Sequence, residues 1–287
     1  PWVNGASMNN QGVEFTVSFK SDPSSEFQWA VSANIGTYKT ELTDLPSNVI
    51  NKYAGDGVHD LILGRSPNSA YGLVADGIFK TQEEVDAHAD QPGKAVGRIR
   101  YKDLDGDGVI NETYDRTWIG CYDPDFFGGL NFDFAYKGFD LNLFFEGMFG
   151  NDVNSDWKKE SDIWLFTNPA WKNHATRMLG GWSPDNPNSD IPAISNNTAN
   201  QEQRFSSWFI EDGSYIKLRN IELGYTFPTK LIKKMHMSNL RLYAAAYNVF
   251  TLKKFWGDDK YTSFDPERPS YHYLTPFTFN FGINVSF

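Results

Sequence analysis

The sequence has 287 residues, a formal net charge of −10, 16% aromatic residues and one cysteine, Cys121. The acidity argues against nucleic acid as a partner, and a single cysteine excludes an internal disulfide. No run of about eighteen apolar residues occurs, so no transmembrane helix is expected; a membrane barrel stays open, because barrel strands are only half apolar.

The chain opens Pro1-Trp2-Val3-Asn4, with no Met, basic n-region or apolar h-region. Either a leader has been removed or the chain is the C-terminal piece of a longer polypeptide. Val13, Phe15, Val17 and Phe19 alternate with Glu14, Thr16, Ser18 and Lys20, which predicts a strand over about 12–20. Residues 21–26 are rich in turn formers, and a second strand over about 27–37 follows, with Phe27, Trp29, Val31, Ala33 and Ile35 on one face.

From about 38 to 127 the alternation disappears. A helix is expected there, capped by Thr81, with Glu84 at the reciprocal position of a capping box and Val85 to Ala89 behind it. Alternation returns over 128–137 and, after the tight Lys137-Gly138 turn, over 138–149. A second polar segment covers about 150–214. The next strand, 215–227, shifts its apolar parity between Leu218 and Ile221, which predicts a bulge near Asn220. A modest turn with a basic stretch, Lys230 to Lys234, leads to a strand over 239–250, and a third polar segment fills 251–276.

The last strand, 277–287, carries the clearest pattern. Phe277, Phe279, Phe281, Ile283, Val285 and Phe287 point one way, and Thr278, Asn280, Gly282, Asn284 and Ser286 the other. The apolar row is bulky, unbroken and long enough to cross a membrane when tilted. A strand in lipid needs every backbone group paired, so a closed barrel is expected around it. The fold class is therefore all-β: about seven antiparallel strands of a large transmembrane barrel. The connections alternate short and long, as in bacterial outer-membrane barrels with short periplasmic turns and long extracellular loops. Seven strands are odd and too few to close, so the rest of the wall is expected from another polypeptide segment.

Several stretches resemble one family. Ile210 to Pro228 (IEDGSYIKLRNIELGYTFP) is similar to the signature before the penultimate hairpin of SusC-like (RagA-like) TonB-dependent outer-membrane transporters of the Bacteroidota. Arg241 to Thr251 (RLYAAAYNVFT), with Asp265-Pro266-Glu267, resembles their following strand and last loop. Arg98 to Asn111 (RIRYKDLDGDGVIN), then Asp115-Arg116 and Ile119-Gly120, resembles their Asp-rich loop. The resemblance implies the C-terminal part of a barrel of about 22 strands filled by an N-terminal plug. It also implies the outer membrane of a Gram-negative bacterium, a SusD-like lipoprotein lid, and energy from TonB through the N-terminal region. Oligosaccharides or peptides are the implied substrates.

Asp103, Asp105, Asp107 and Gly108 match the opening of a calcium loop, D-x-D-x-D-G, and Val109 would offer its carbonyl. The twelfth position, usually Glu, is Tyr114, and Asp115 lies one residue late. The expected cofactor is Ca2+ on Asp103, Asp105, Asp107, Val109 and Asp115; the other reading is a solvated acidic turn. Trp164, Trp171 and Trp182 are candidates for contact with substrate or lid, against packing within their own loops. His59, His88, His174, His236 and His272 show no metal-ligand spacing, and no nucleophile elbow, phosphate loop or paired-His motif appears. The chain is thus not expected to be an enzyme. A non-transporting barrel receptor and a soluble all-β glycan hydrolase are the competing readings; the hydrolase would bury its apolar strand faces in a core.

Overall fold

A computed structural model describes residues 5–46, 61–163, 174–195, 199–253, 262–269 and 273–287. Thirteen strands are present among them: β1 (Ser7–Lys20), β2 (Phe27–Asp44), β3 (Ser69–Leu73), β4 (Ala75–Ile78), β5 (Ile99–Tyr101), β6 (Arg116–Cys121), β7 (Phe126–Tyr136), β8 (Phe139–Phe149), β9 (Asp152–Asn154), β10 (Ile210–Asp212), β11 (Tyr215–Thr226), β12 (Asn239–Lys253) and β13 (Thr278–Ser286). Seven of them form one antiparallel sheet in the order β1-β2-β7-β8-β11-β12-β13. The sheet is open: β1 and β13 are its edges and do not pair with each other.

Register sorts the side chains into rows that cross the whole sheet. Phe19, Val31, Phe132, Leu143, Ile221, Ala246 and Phe279 are successive cross-strand partners. The adjacent row, on the other face, runs Ser18, Ser32, Asn131, Phe144, Asn220, Tyr247 and Thr278. A slip of one residue in any strand would exchange the two faces. The apolar face is uncovered: Phe19 is 63% exposed and Phe281 79%. Among the described residues no core packs against it, the opposite of what a self-contained glycan hydrolase with buried apolar strand faces would show.

The bulge lies between Leu218 and Asn220, with the register of β11 shifting there against both β8 and β12. The extra residue lets Arg219 and Asn220 both reach the polar face while Leu218 and Ile221 stay in the apolar rows. The first hairpin outruns its apolar pattern. β1 starts at Ser7 and β2 runs to Asp44, because a backbone ladder needs no greasy side chains once it leaves the apolar band. Asn10 Nδ2 donates to Thr40 Oγ1 at 2.8 Å across this polar extension.

Consecutive antiparallel strands place residues 21–26, 137–138 and 227–238 at one end of the sheet, and the three long connections at the other. The long connections have structure of their own. β3 pairs with β6, β4 with β5 and β9 with β10. The helix α1 covers Gln82–Ala87, two residues short of the expected Ala89, and Thr81 accepts from Glu84 N at 3.3 Å. Glu84 reaches back to Lys80 N at 2.7 Å, one residue before the position a capping box would use.

In the 137–138 turn, Lys137 has φ 48° and Gly138 φ 86°, the left-handed pair that matches strand twist in a two-residue hairpin. A Cβ on Gly138 would sit 2.7 Å from Thr226 O, whose own N–H donates to Gly138 O at 2.8 Å. Gly138→Ala is therefore expected to destabilise the folded sheet by about 1–3 kcal/mol, read as a lower urea midpoint, whereas Lys137→Asn should leave the midpoint unchanged or raise it.

Candidate functional site

The polar face of the sheet is a connected surface. Asn142 Nδ2 donates to Asn131 Oδ1 at 3.0 Å and to Asp133 Oδ1 at 2.7 Å, and Asn220 Nδ2 donates to Asn142 Oδ1 at 2.9 Å. Toward the short-turn end, Arg241 Nε donates to Asp140 Oδ1 at 3.0 Å and its Nη2 to Glu222 Oε1 at 2.7 Å. Amides and ion pairs thus link four strands, with Asn220 Oδ1 left without a hydrogen bond, and form a wettable wall opposite the bare apolar one.

Toward the loop end, the same face holds an ion cluster. Lys217, with its side chain 3% exposed, donates to Asp265 Oδ1 at 2.7 Å and also pairs with Glu267. Arg219 Nε donates to Glu146 Oε2 at 2.7 Å, and its guanidinium pairs with Glu267. The Tyr215 hydroxyl donates to Glu267 Oε1 at 3.0 Å. Asp265 Oδ1 also accepts from Glu267 N at 3.1 Å, which folds the Asp-Pro-Glu turn so that both carboxylates face the wall. The cluster straps residues 262–269 to β11 and β8. Burial pushes the Glu267 carboxyl up, but hydrogen bonds from Arg219 and Lys217 and their charges outweigh it and hold the pKa at about 2.

Above the sheet, the long connections share a small core of Leu73, Ile78, Ile99, Tyr101, Ile110, Ile163 and Phe209. A buried polar network ties its two sides together. Arg98 Nη1 donates to Glu202 Oε2 at 2.8 Å, both side chains under 10% exposed, and Glu202 Oε1 accepts from Ile99 N at 2.9 Å. Gln91 Nε2 donates to Ile99 O and to Asn200 Oδ1, each at 2.8 Å. Trp182 is partly buried and packs against this core. Trp164 and Trp171 lie outside the described residues, as do His59 and His272.

The Asp-rich loop brings together three of the residues its spacing suggests. Asp103, Asp105 and Asp115 bring carboxylate oxygens within 4.8 Å of one another; Asp107 is not among them. Asp115 is fully buried and accepts from Leu104 N at 2.8 Å and Asn111 N at 2.7 Å. Asp103 accepts from Gly106 N and Gly108 N at 2.7 and 2.9 Å, and these backbone bonds, Gly108 first, lower its pKa. Asp107 turns to Val109 N at 2.7 Å. Three carboxylates thus lie close enough for their oxygens to meet at one cation, while Asp107 serves the turn.

Between the loops lies a cavity of about 550 Å³, lined in part by Asp152, Lys158, Glu211, Asp212 and Trp208. Asp152 and Asp212 are direct cross-strand partners in β9 and β10, an unfavourable pairing of like charges. Burial raises the pKa of Asp152, with Asp212 and Asp125 adding to the effect. None of this is visible in sequence spacing, because the cavity gathers residues from five separated stretches.

No protein-family model matches the chain. Individual relatives do. The TonB-dependent receptor P3 of Formosa agariphila is 30% identical over 302 residues, covering 99% of this chain and 29% of its own length. The TonB-dependent receptor SusC of Bacteroides thetaiotaomicron is 26% identical over 297 residues, covering 99% and 27%. The solved structure of the RagAB peptide transporter matches with a TM-score of 0.74 at 23% identity, covering 99% of this chain and 29% of that one. The chain thus spans under a third of the length of these relatives, and the likeness to the solved structure establishes the fold, a wall of RagA-type barrel. The relatives are receptors and transporters rather than enzymes.

Lys217→Met should strip Asp265 of its cation and leave Glu267 to Arg219 alone, a loss of about 3–5 kcal/mol in holding the strap. Hydrogen exchange at residues 262–269 is expected to accelerate while the Asn131–Asn142–Asn220 region stays protected. The acid response has a definite sign. Glu267 is depressed from 4.5 to about 2, so its contribution is present above pH 4.5 and is lost as pH falls through 2. Corrected for the intrinsic amide exchange rate, which itself slows on acidification, protection of the strap should fall across that window, and in Glu267→Gln it should be low already at pH 5.

Proposed function

We propose that this chain, a homologue of TonB-dependent receptors of the SusC kind along its whole length, is the C-terminal barrel portion of an outer-membrane importer. The observation that carries the reading is the two-faced sheet. Its apolar rows are bare on one side, and its other side is a hydrogen-bonded polar wall. β7 has 11 residues; at about 3.3 Å per residue it covers roughly 33 Å, or about 25 Å along the membrane normal at a tilt near 40°. That is the height of the apolar band of a membrane barrel. Aromatic residues mark its turn end, where Phe27, Tyr136, Phe139 and Tyr225 are successive partners, as an interfacial girdle requires.

In the complete transporter the two open edges would pair with strands from the rest of the polypeptide, which would also bring the plug and the segment that engages TonB. The polar face would line the lumen around the plug. The short turns would face the periplasm, and the folded long connections would form the outer mouth, where a SusD-like lipoprotein would sit as a lid. Oligosaccharides are the proposed substrates. Peptides are the second reading, favoured by the likeness to the RagAB peptide transporter. Calcium on Asp103, Asp105 and Asp115 would brace the mouth by neutralising three clustered carboxylates.

Deleting the gene for the full-length protein should abolish uptake of a labelled oligosaccharide pool by whole cells while labelled peptides enter as before. Loss of peptide uptake alone would select the second reading, and loss of neither would leave a receptor that does not import. For the cation, Ca2+ should slow proteolysis at residues 103–115 of the full-length protein and EGTA should reverse it. In Asp105→Asn that calcium-dependent increment should disappear; equal cleavage with and without Ca2+ in the parent would remove the ion from the account.

A further inference from the structure

We propose that the apolar face carries a dedicated groove for one acyl chain of an outer-leaflet lipid; this rests on the membrane reading above. The groove follows from register. Gly128 and Gly147 are partners across β7 and β8, in the row that continues to Ile35 on β2 and Ile216 on β11. Two neighbouring side chains are therefore missing from one apolar row. One row nearer the loops stand Phe126 and Phe149, also partners, with rings stacked at 4.8 Å and 20°. One row nearer the turns stand Leu130 and Phe145. The gap is bordered on four sides by apolar side chains and forms an open groove of about 510 Å³.

The backbone keeps this gap open. A Cβ on Gly128 would lie 2.3 Å from Asn34 O, and one on Gly147 would meet the Phe149 ring at 3.0 Å and Tyr215 O at 3.2 Å. Glycine is thus required at 128 for the strands to approach, and a side chain at 147 would need the Phe149 ring to give way. The lining offers almost no polar surface, so a sugar, a peptide backbone or an ion has nothing to bind. Its mouth is continuous with the apolar rows, where Ile35 is half exposed, so the medium at the mouth is hydrocarbon. Its position at the loop ends of β7 and β8 places it in the outer leaflet. A flexible chain of methylenes is the occupant that this shape, surface and depth select.

The test uses the full-length protein in its native membrane, carried into polymer discs without detergent. Photo-leucine replaces Leu130 at the groove or Leu223, which lies on the same apolar face away from it, and mass spectrometry identifies the adducts after irradiation. Lipid adducts are expected at both positions, with one acyl species enriched roughly ten-fold at Leu130, the ratio produced by about 1.4 kcal/mol of preference. Ile216→Trp, which fills the groove from β11, should erase the enrichment at Leu130 and leave Leu223 unchanged; Ile35→Trp does the same from the opposite wall. The same lipid mixture at both positions would overturn the groove alone. A partner's lipid-modified peptide at Leu130 would overturn the choice of occupant. Protein–protein adducts at both positions would overturn the membrane reading itself.

Discussion

The molecule depends on the hydrogen-bonded ladder of one antiparallel sheet. Because each residue along a strand turns its side chain to the opposite face, a single register commits every strand at once to two different surroundings. Phe19, Phe132, Ile221 and Phe279 share one face only because Ser18, Asn131, Asn220 and Thr278 share the other. The ladder can hold such a sheet together without a core of its own beneath it. It also explains the bulge at Arg219. One extra residue restores the phase of β11, and it delivers a guanidinium to the polar face where Glu146 and Glu267 receive it.

The polar face and the loops solve a second problem, how to give an opening a defined shape. Long polar connections would ordinarily be mobile. Here they fold on a small apolar core and on the buried Arg98–Glu202 pair. The last connection is held by charge instead. Lys217 and Arg219 rise from the wall and grip Asp265 and Glu267. A buried ion cluster is a selective fastener, because removing one member leaves an uncompensated charge and is costly. The geometry of the mouth is therefore coupled to the geometry of the wall strand that carries it.

Much of the fold was legible in the sequence, since period-two alternation is a local signal. The three hairpins, the two faces, the parity shift before Ile221 and the sorting of long connections to one end all follow from patterns a few residues long. What was misjudged also has local causes. The polar ends of β1 and β2 carry no alternation of hydrophobicity, so the ladder from Ser7 to Asp44 was invisible beyond its apolar part. The short strands β3 to β6 sit within polar, turn-rich sequence, and each is stabilised by a partner well along the chain. In the Asp-rich loop, spacing pointed to Asp107 as a ligand. The chain gathers Asp115, named with it, beside Asp103 and Asp105, where the Asp115 carboxylate accepts from the N–H groups of Leu104 and Asn111, and Asp107 turns to Val109 N.

By itself the sequence determined that this is a sheet with one greasy and one polar side, and which end of it carries the loops, because side-chain direction and turn chemistry are set by immediate neighbours. Only the tertiary structure decided which charges meet. Lys217 and Asp265 are 48 positions apart, and Arg98 and Glu202 are 104 apart; their pairing depends on how the long connections fold back, which no local period encodes. The glycine-floored hollow belongs to the same class. Gly128 and Gly147 are unremarked in either strand alone, and they become one feature when register sets them side by side.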